Sequence, residues 1–97
     1  FTAADRVQDI DSDRAKLFLD GLIDSDSIRA TFFALFGTSA STDLTDGLRV
    51  DFDSGDVLHL RLSGNAPEFR IYAQSSSEEK ASDMVKTAFR FVAEQVL

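Results

Sequence analysis

The chain has 97 residues, 43% of them hydrophobic, and 17 acidic against 10 basic side chains give it a net charge of −7 with no cysteine. That length supports one domain with a modest core, and the charge balance speaks against a nucleic-acid binder, whose footprint is basic. Without cysteine there is no disulfide framework and no thiolate metal site, a composition that suits a reducing, cytoplasmic setting.

Residues 1–10 have no clear period and read as an extended lead-in. They lack the basic and apolar regions of a signal peptide. No apolar run in the chain approaches the roughly 20 residues of a membrane span, so no membrane partner is expected. The chain also begins without Met. Processing or excision from a longer chain would produce such a start, and excision is the favoured reading.

Asp11, Ser12 and Asp13 are good helix N-cap residues with acids in the first turn. Ala15, Leu19, Leu22 and Ile23, with Phe18 beside them, mark one helical stripe. After the break at residues 24–27, Asp26 or Ser27 can cap a shorter helix. Its apolar residues are Ile28, Phe32, Leu35 and Phe36, and Gly37 ends it.

The period then changes from helical to alternating. Leu48, Val50 and Phe52 point one way, Arg49, Asp51 and Asp53 the other. Asp46-Gly47 and Ser54-Gly55-Asp56 are turn signals on either side. Leu58 and Leu60 continue the apolar face, with His59 and Arg61 opposite. In a further strand Phe69, Ile71 and Ala73 face the core while Glu68, Arg70 and Tyr72 face away. Ser75 and Ser76, each three residues before a Glu, open the final helix with capping-box spacing. Its stripe is Ala81, Met84, Val85, Ala88, Val92 and Val96, widened by Phe89 and Phe91. The expected fold is therefore α+β: a two-layer domain in which helices cover one face of an antiparallel sheet of about four strands.

The chemistry gathers in the loop between the last two strands, R-L-S-G-N-A-P-E-F-R. Arg61 and Arg70 bracket it, near one another in an antiparallel pair and on the face away from the core. Between them lie the Ser63 hydroxyl, the Asn65 amide and successive N–H groups, with Gly64 allowing close main-chain approach. Guanidinium groups meet a tetrahedral oxyanion with paired, charge-assisted hydrogen bonds, and consecutive N–H donors can form an anion nest. The competing reading is an ordinary hairpin whose arginines pair with surface acids, at about 0–1 kcal/mol each.

Several other features point away from chemistry. Asp9, Asp11, Asp13 and Asp20 have spacings like a calcium loop, but Arg14 stands where Gly is needed and Asp20 where Glu is usual. Asp51, Asp53 and Asp56 read as the solvent side of a strand and its turn. His59 is the only histidine. It lies on the Arg61 side but has no partner pattern of a general base.

The residues from the Asp46-Gly47 turn through R-L-S-G-N-A-P-E-F-R-I-Y and the acidic helix start resemble the C-terminal domain of the phosphohexomutases. The signature there is R-P-S-G-T-E-P-x-x-R-x-Y. The wording here is most similar to the bacterial phosphomannomutase branch, with Leu62 for Pro, Asn65 for Thr and Ala66 for Glu. The resemblance is strong over residues 46–80 and covers nearly the whole chain more weakly.

It implies that residues 1–97 are the fourth, C-terminal domain of a larger enzyme that interconverts hexose 6-phosphate and hexose 1-phosphate. The partners it implies are a phosphosugar and the other domains of the same chain. Arg61, Ser63, Gly64, Asn65 and Arg70 would contact the substrate phosphate. The family's phosphoserine loop and its magnesium loop have no counterpart in this sequence. No catalytic or metal residue is therefore expected here, and Mg2+ would be held by a domain outside these residues. A chain of this kind should be inactive alone. The alternative is a free-standing, non-catalytic interaction module, favoured by its Phe-rich helices and missing Met.

Overall fold

A computed structural model describes residues 1–63 and 66–97. Among them the chain runs β1 (Thr2–Gln8), α1 (Ser12–Asp24), α2 (Asp26–Phe33), β2 (Ser39–Asp43), β3 (Leu48–Phe52), β4 (Val57–Leu62), β5 (Glu68–Gln74) and α3 (Glu78–Val96). The strands form one sheet in the order β1-β5-β4-β3-β2, every neighbouring pair antiparallel. The α+β expectation holds, with five strands among the described residues rather than about four.

The additional strand is β1. Val7 is its one buried residue, so apolar alternation cannot announce it. It is held by pairing with β5 along its whole length, from Thr2↔Gln74 to Gln8↔Glu68. The Phe1 amino group donates to the Ser75 carbonyl at 2.8 Å, and the Ser75 N–H donates back to the Phe1 carbonyl at 2.9 Å. That exchange extends the ladder past β5 and keeps Ser75 out of the helix. α3 accordingly starts later than the capping-box spacing suggests: Ser77 is the N-cap, accepting from the Lys80 N–H at 3.2 Å.

The core lies between the sheet and the helices. Leu48, Val50 and Phe52 of β3, Leu58 and Leu60 of β4, and Phe69, Ile71 and Ala73 of β5 are buried on one face. They meet the buried stripe of α3, made of Ala81, Met84, Val85, Ala88, Val92 and Val96. Ala15, Leu19 and Leu22 of α1 join them, and Asp11 caps α1 by accepting from the N–H groups of Asp13 and Arg14. The Asp11 N–H donates to the Val96 carbonyl at 3.0 Å, tying the start of α1 to the end of α3.

α2 departs from the sequence reading in two ways. Its cap is Ser25, which accepts from the Ile28 N–H, rather than Asp26 or Ser27. Its buried residue is Phe33, with Ile28 and Leu35 exposed. A helix of eight residues makes only about two turns, too few for periodicity to choose between adjacent aromatics. The choice is made by ring packing: Phe33 contacts Phe32, Phe36 and Phe52 with centroids 4.9, 6.1 and 6.1 Å apart.

β2 pairs with β3 along one side and forms the sheet's edge, with all five of its residues exposed. The opposite face of the sheet, away from the helices, carries Arg6, Arg70, Arg61, Tyr72, His59 and Arg49.

Candidate functional site

Arg61 and Arg70 are direct cross-strand partners on β4 and β5. The hairpin that joins them is closed by the Ser63 N–H donating to the Glu68 carbonyl at 3.1 Å. It is tightened by the Glu68 N–H donating to the Ala66 carbonyl at 2.8 Å. The Pro67 carbonyl accepts from the Ile10 N–H at 3.2 Å, which anchors the loop's exit to the segment after β1. Ser63 is half-buried. Its main-chain N–H is committed to the hairpin. Gly64 and Asn65 lie outside the described residues.

Both arginines have carboxylate neighbours. Arg61 Nη1 donates to Asp46 Oδ2 at 3.1 Å. Arg70 Nε lies 3.4 Å from Glu68 Oε2, and Arg6 Nη1 lies 3.7 Å from the same oxygen. The surface-acid pairing weighed as the alternative from sequence is therefore present. It engages one nitrogen of each guanidinium, and an arginine carries five N–H donors.

The structure also brings in residues that sequence reasoning left out. Arg6 stands beside Arg70 in the β1–β5 register, so Arg6, Arg70 and Arg61 form one row across three adjacent strands. A groove of about 310 Å³ lies over β1 and β5 at the Arg6 and Arg70 end of that row, lined by Ala4, Asp5, Arg6, Glu68, Arg70 and Tyr72. Alternation in β1 could have put Arg6 on this face, but only the pairing puts it beside Arg70. The Tyr72 side chain first, and then Glu68, hold the Arg70 pKa above its ordinary value. Arg70 is thus charged at any physiological pH.

Asp46 reaches Arg61 because of the residue that follows it. Gly47 has φ +71°, and a Cβ there would sit 2.4 Å from the Leu60 carbonyl oxygen and 2.9 Å from Arg61 Cβ. Only glycine lets the turn lie this close to β4. His59 Nε2 donates to the Asp46 carbonyl oxygen at 2.6 Å, so that nitrogen carries a proton. The His59 ring also packs on Tyr72 with centroids 5.7 Å apart.

Other candidates fall away from the loop. Among the described residues no group of three or more His, Cys, Asp or Glu is arranged to hold a metal ion. They offer no fit for magnesium. A depression of about 520 Å³ lies between α2 and β2. The Arg29 guanidinium on its wall is already engaged by the Leu22 and Ile23 carbonyls and by Asp26. No helix among the described residues is long and apolar enough to cross a membrane.

The sequence model of the family described as phosphoglucomutase/phosphomannomutase, C-terminal domain, matches residues 7–90. The chain is 36% identical over 92 residues to a phosphomannomutase from Salmonella muenchen, which covers 90% of this chain and 18% of that protein. It is 35% identical over 80 residues to a phosphomannomutase from Sinorhizobium fredii, covering 82% of this chain and 17% of the relative. Over 52 residues it is 40% identical to a phosphoglucomutase/phosphomannomutase from Thermococcus kodakarensis, covering 54% and 11%. The chain spans less than a fifth of the length of these curated relatives. With its fold, its double-arginine hairpin and a match over most of its length in agreement, the chain belongs to the C-terminal domain family of the phosphoglucomutases and phosphomannomutases.

Proposed function

We propose that this domain binds the phosphate of a hexose phosphate for a phosphomannomutase-type enzyme that interconverts hexose 6-phosphate and hexose 1-phosphate. The observation that carries the proposal is the direct cross-strand pairing of Arg61 with Arg70 at the mouth of the hairpin loop. Two guanidinium groups carried on directly paired residues suit a tetrahedral, doubly charged anion. Ser63, Gly64 and Asn65 complete the proposed contacts.

In such a reaction a phosphoserine elsewhere in the enzyme gives its phosphoryl group to the free hydroxyl of the sugar monophosphate. The resulting bisphosphate turns around, and the serine takes back the other phosphoryl group. One site must then grip a phosphate at either end of the sugar. A loop that reads phosphate and leaves the sugar unread suits that demand. Its contribution is positioning and charge stabilisation, on which phosphoryl transfer depends. The nucleophile and magnesium belong to other parts of the enzyme, so these 97 residues alone would turn nothing over.

The test is Arg61→Ala in the complete enzyme. It should cut kcat/KM for mannose 1-phosphate by about 10²-fold or more, since it removes a charged, bidentate anchor. Titrating inorganic phosphate should move amide resonances of residues 61–70 in the wild type and leave them still in the variant. Near-wild-type kinetics would refute the assignment. The alternative, an interaction module, draws on the exposed Leu17 of α1, Ile28 of α2 and Leu35 in the turn after α2. It would be favoured if phosphate moved no resonance in the loop.

A further inference from the structure

We propose that Asp46 and Glu68 are positioning residues, one for each loop arginine, which aim Arg61 and Arg70 at the bound phosphate. The proposal rests on the phosphate-binding reading of the loop and deepens it.

Two independent pieces of geometry carry it. The first is the Asp46-Gly47 turn. Exposed ion pairs between long side chains are normally loose. This one is built: the turn is pressed against the β4 main chain at Leu60 and Arg61, where any side chain at position 47 would collide. The Asp46 carbonyl is held from the other side by His59 at 2.6 Å. The backbone that carries the Asp46 carboxylate is thereby fixed relative to Arg61, and the 3.1 Å hydrogen bond fixes the guanidinium in turn.

The second is the environment of Glu68. It is 8% exposed although its strand position faces away from the core. Its Oε2 is buried and makes no hydrogen bond of sound geometry among the described residues. A buried carboxylate oxygen without such bonds must be compensated by charge. Arg70 at 3.4 Å and Arg6 at 3.7 Å supply it from either side. Arg6 therefore acts on the loop through Glu68: it lies 3.7 Å from the carboxylate oxygen that faces Arg70, and the carboxylate keeps Arg70 from swinging to solvent.

A carboxylate beside an arginine could act in the opposite sense, by competing with phosphate for the same donors. The two roles predict opposite signs, so the test decides between them. In the complete enzyme, Asp46→Asn should raise both the inorganic-phosphate Kd and the KM for mannose 1-phosphate about three- to tenfold, with kcat within about twofold. Glu68→Gln should do the same through Arg70. In the Arg61→Ala background, Asp46→Asn should have no further effect. In the Arg70→Ala background, the same holds for Glu68→Gln.

Tighter phosphate binding in either single variant would overturn the proposal. So would a loss that persists undiminished after the partner arginine is removed. The Arg61 and Arg70 Nε–H resonances provide a readout that needs no ligand. They should be dispersed in the wild type and collapse toward the averaged position of free arginine in Asp46→Asn and Glu68→Gln respectively. If Arg61→Ala leaves phosphate affinity unchanged, the phosphate reading fails. The positioning claim then stands or falls on those resonances alone.

Discussion

Lys80, in the first turn of α3, places its Nζ 2.5 Å from Oδ2 of Asp56, in the turn that joins β3 to β4. Asp56 is buried, and the Ser54 hydroxyl donates to the same carboxylate oxygen at 2.9 Å. The pair clasps the far end of the β3–β4 hairpin to the start of the helix that covers the sheet. Removing the lysine leaves a buried carboxylate without its cation. Lys80→Met should lower stability by about 1–3 kcal/mol, read as a shift in the urea midpoint at neutral pH.

The same clasp predicts a pH dependence with a definite sign. Its hydrogen bond from Lys80, first among several causes, holds the Asp56 carboxyl below its ordinary value of 3.8. A carboxyl whose folded pKa lies below the unfolded one contributes fully above the unfolded value. The contribution drains away as pH falls through the folded value. Stability should therefore be flat in this respect at neutral pH and decline below about pH 4. Lys80→Met should make that acid decline shallower. An acid limb as steep in the variant as in the wild type would rule out this origin.

Two glycine-to-alanine substitutions should have opposite effects. At position 47 the positive φ and the 2.4 Å approach to the Leu60 carbonyl leave no room for a methyl group. Gly47→Ala should cost at least ~2 kcal/mol. At position 21, inside α1, an added Cβ meets nothing within 4 Å. Gly21→Ala should gain roughly 0.5–1 kcal/mol by reducing the freedom of the unfolded chain. Thermal melts of the two variants check both signs.

Phe33, at the end of α2, and Leu35, in the turn after it, provide a comparable contrast. Phe33 is 2% exposed and Leu35 66% exposed. Phe33→Ala should cost about 3–5 kcal/mol, and Leu35→Ala should stay within roughly 0.5 kcal/mol. Equal losses would mean that the turn after α2 also packs into the core.

Much of the fold could be read from period alone, and the exceptions have physical causes. The α3 stripe and the inward residues of β3, β4 and β5 are buried as alternation and helical spacing require, because both faces of each element differ sharply in polarity. β1 escaped because the pairing that makes it a strand lies in another part of the chain. The α1 cap lay among the three candidates Asp11, Ser12 and Asp13, and Asp11 takes the role. The α3 cap was not legible, because three consecutive serines compete and the choice depends on Ser75 being drawn into the ladder by Phe1.

The candidate site was legible in its letters but not in its supports. Arg61 and Arg70 could be matched by counting across a hairpin. The roles of Asp46, Glu68 and Arg6 depend on how the turn before β3 docks on β4 and on which strand flanks β5. Neither is written in local spacing.

The wholly exposed β2 has a consequence for how the protein behaves in crowded solution. A rim of unpaired peptide groups invites another chain to stack on it. Here that rim is Ser-Ala-Ser-Thr-Asp, small and hydrophilic with a negative charge at its end. Such a border gives an incoming strand little oily surface to grip and repels a second copy of itself. The molecule can thus leave one side of its sheet open without inviting fibre growth.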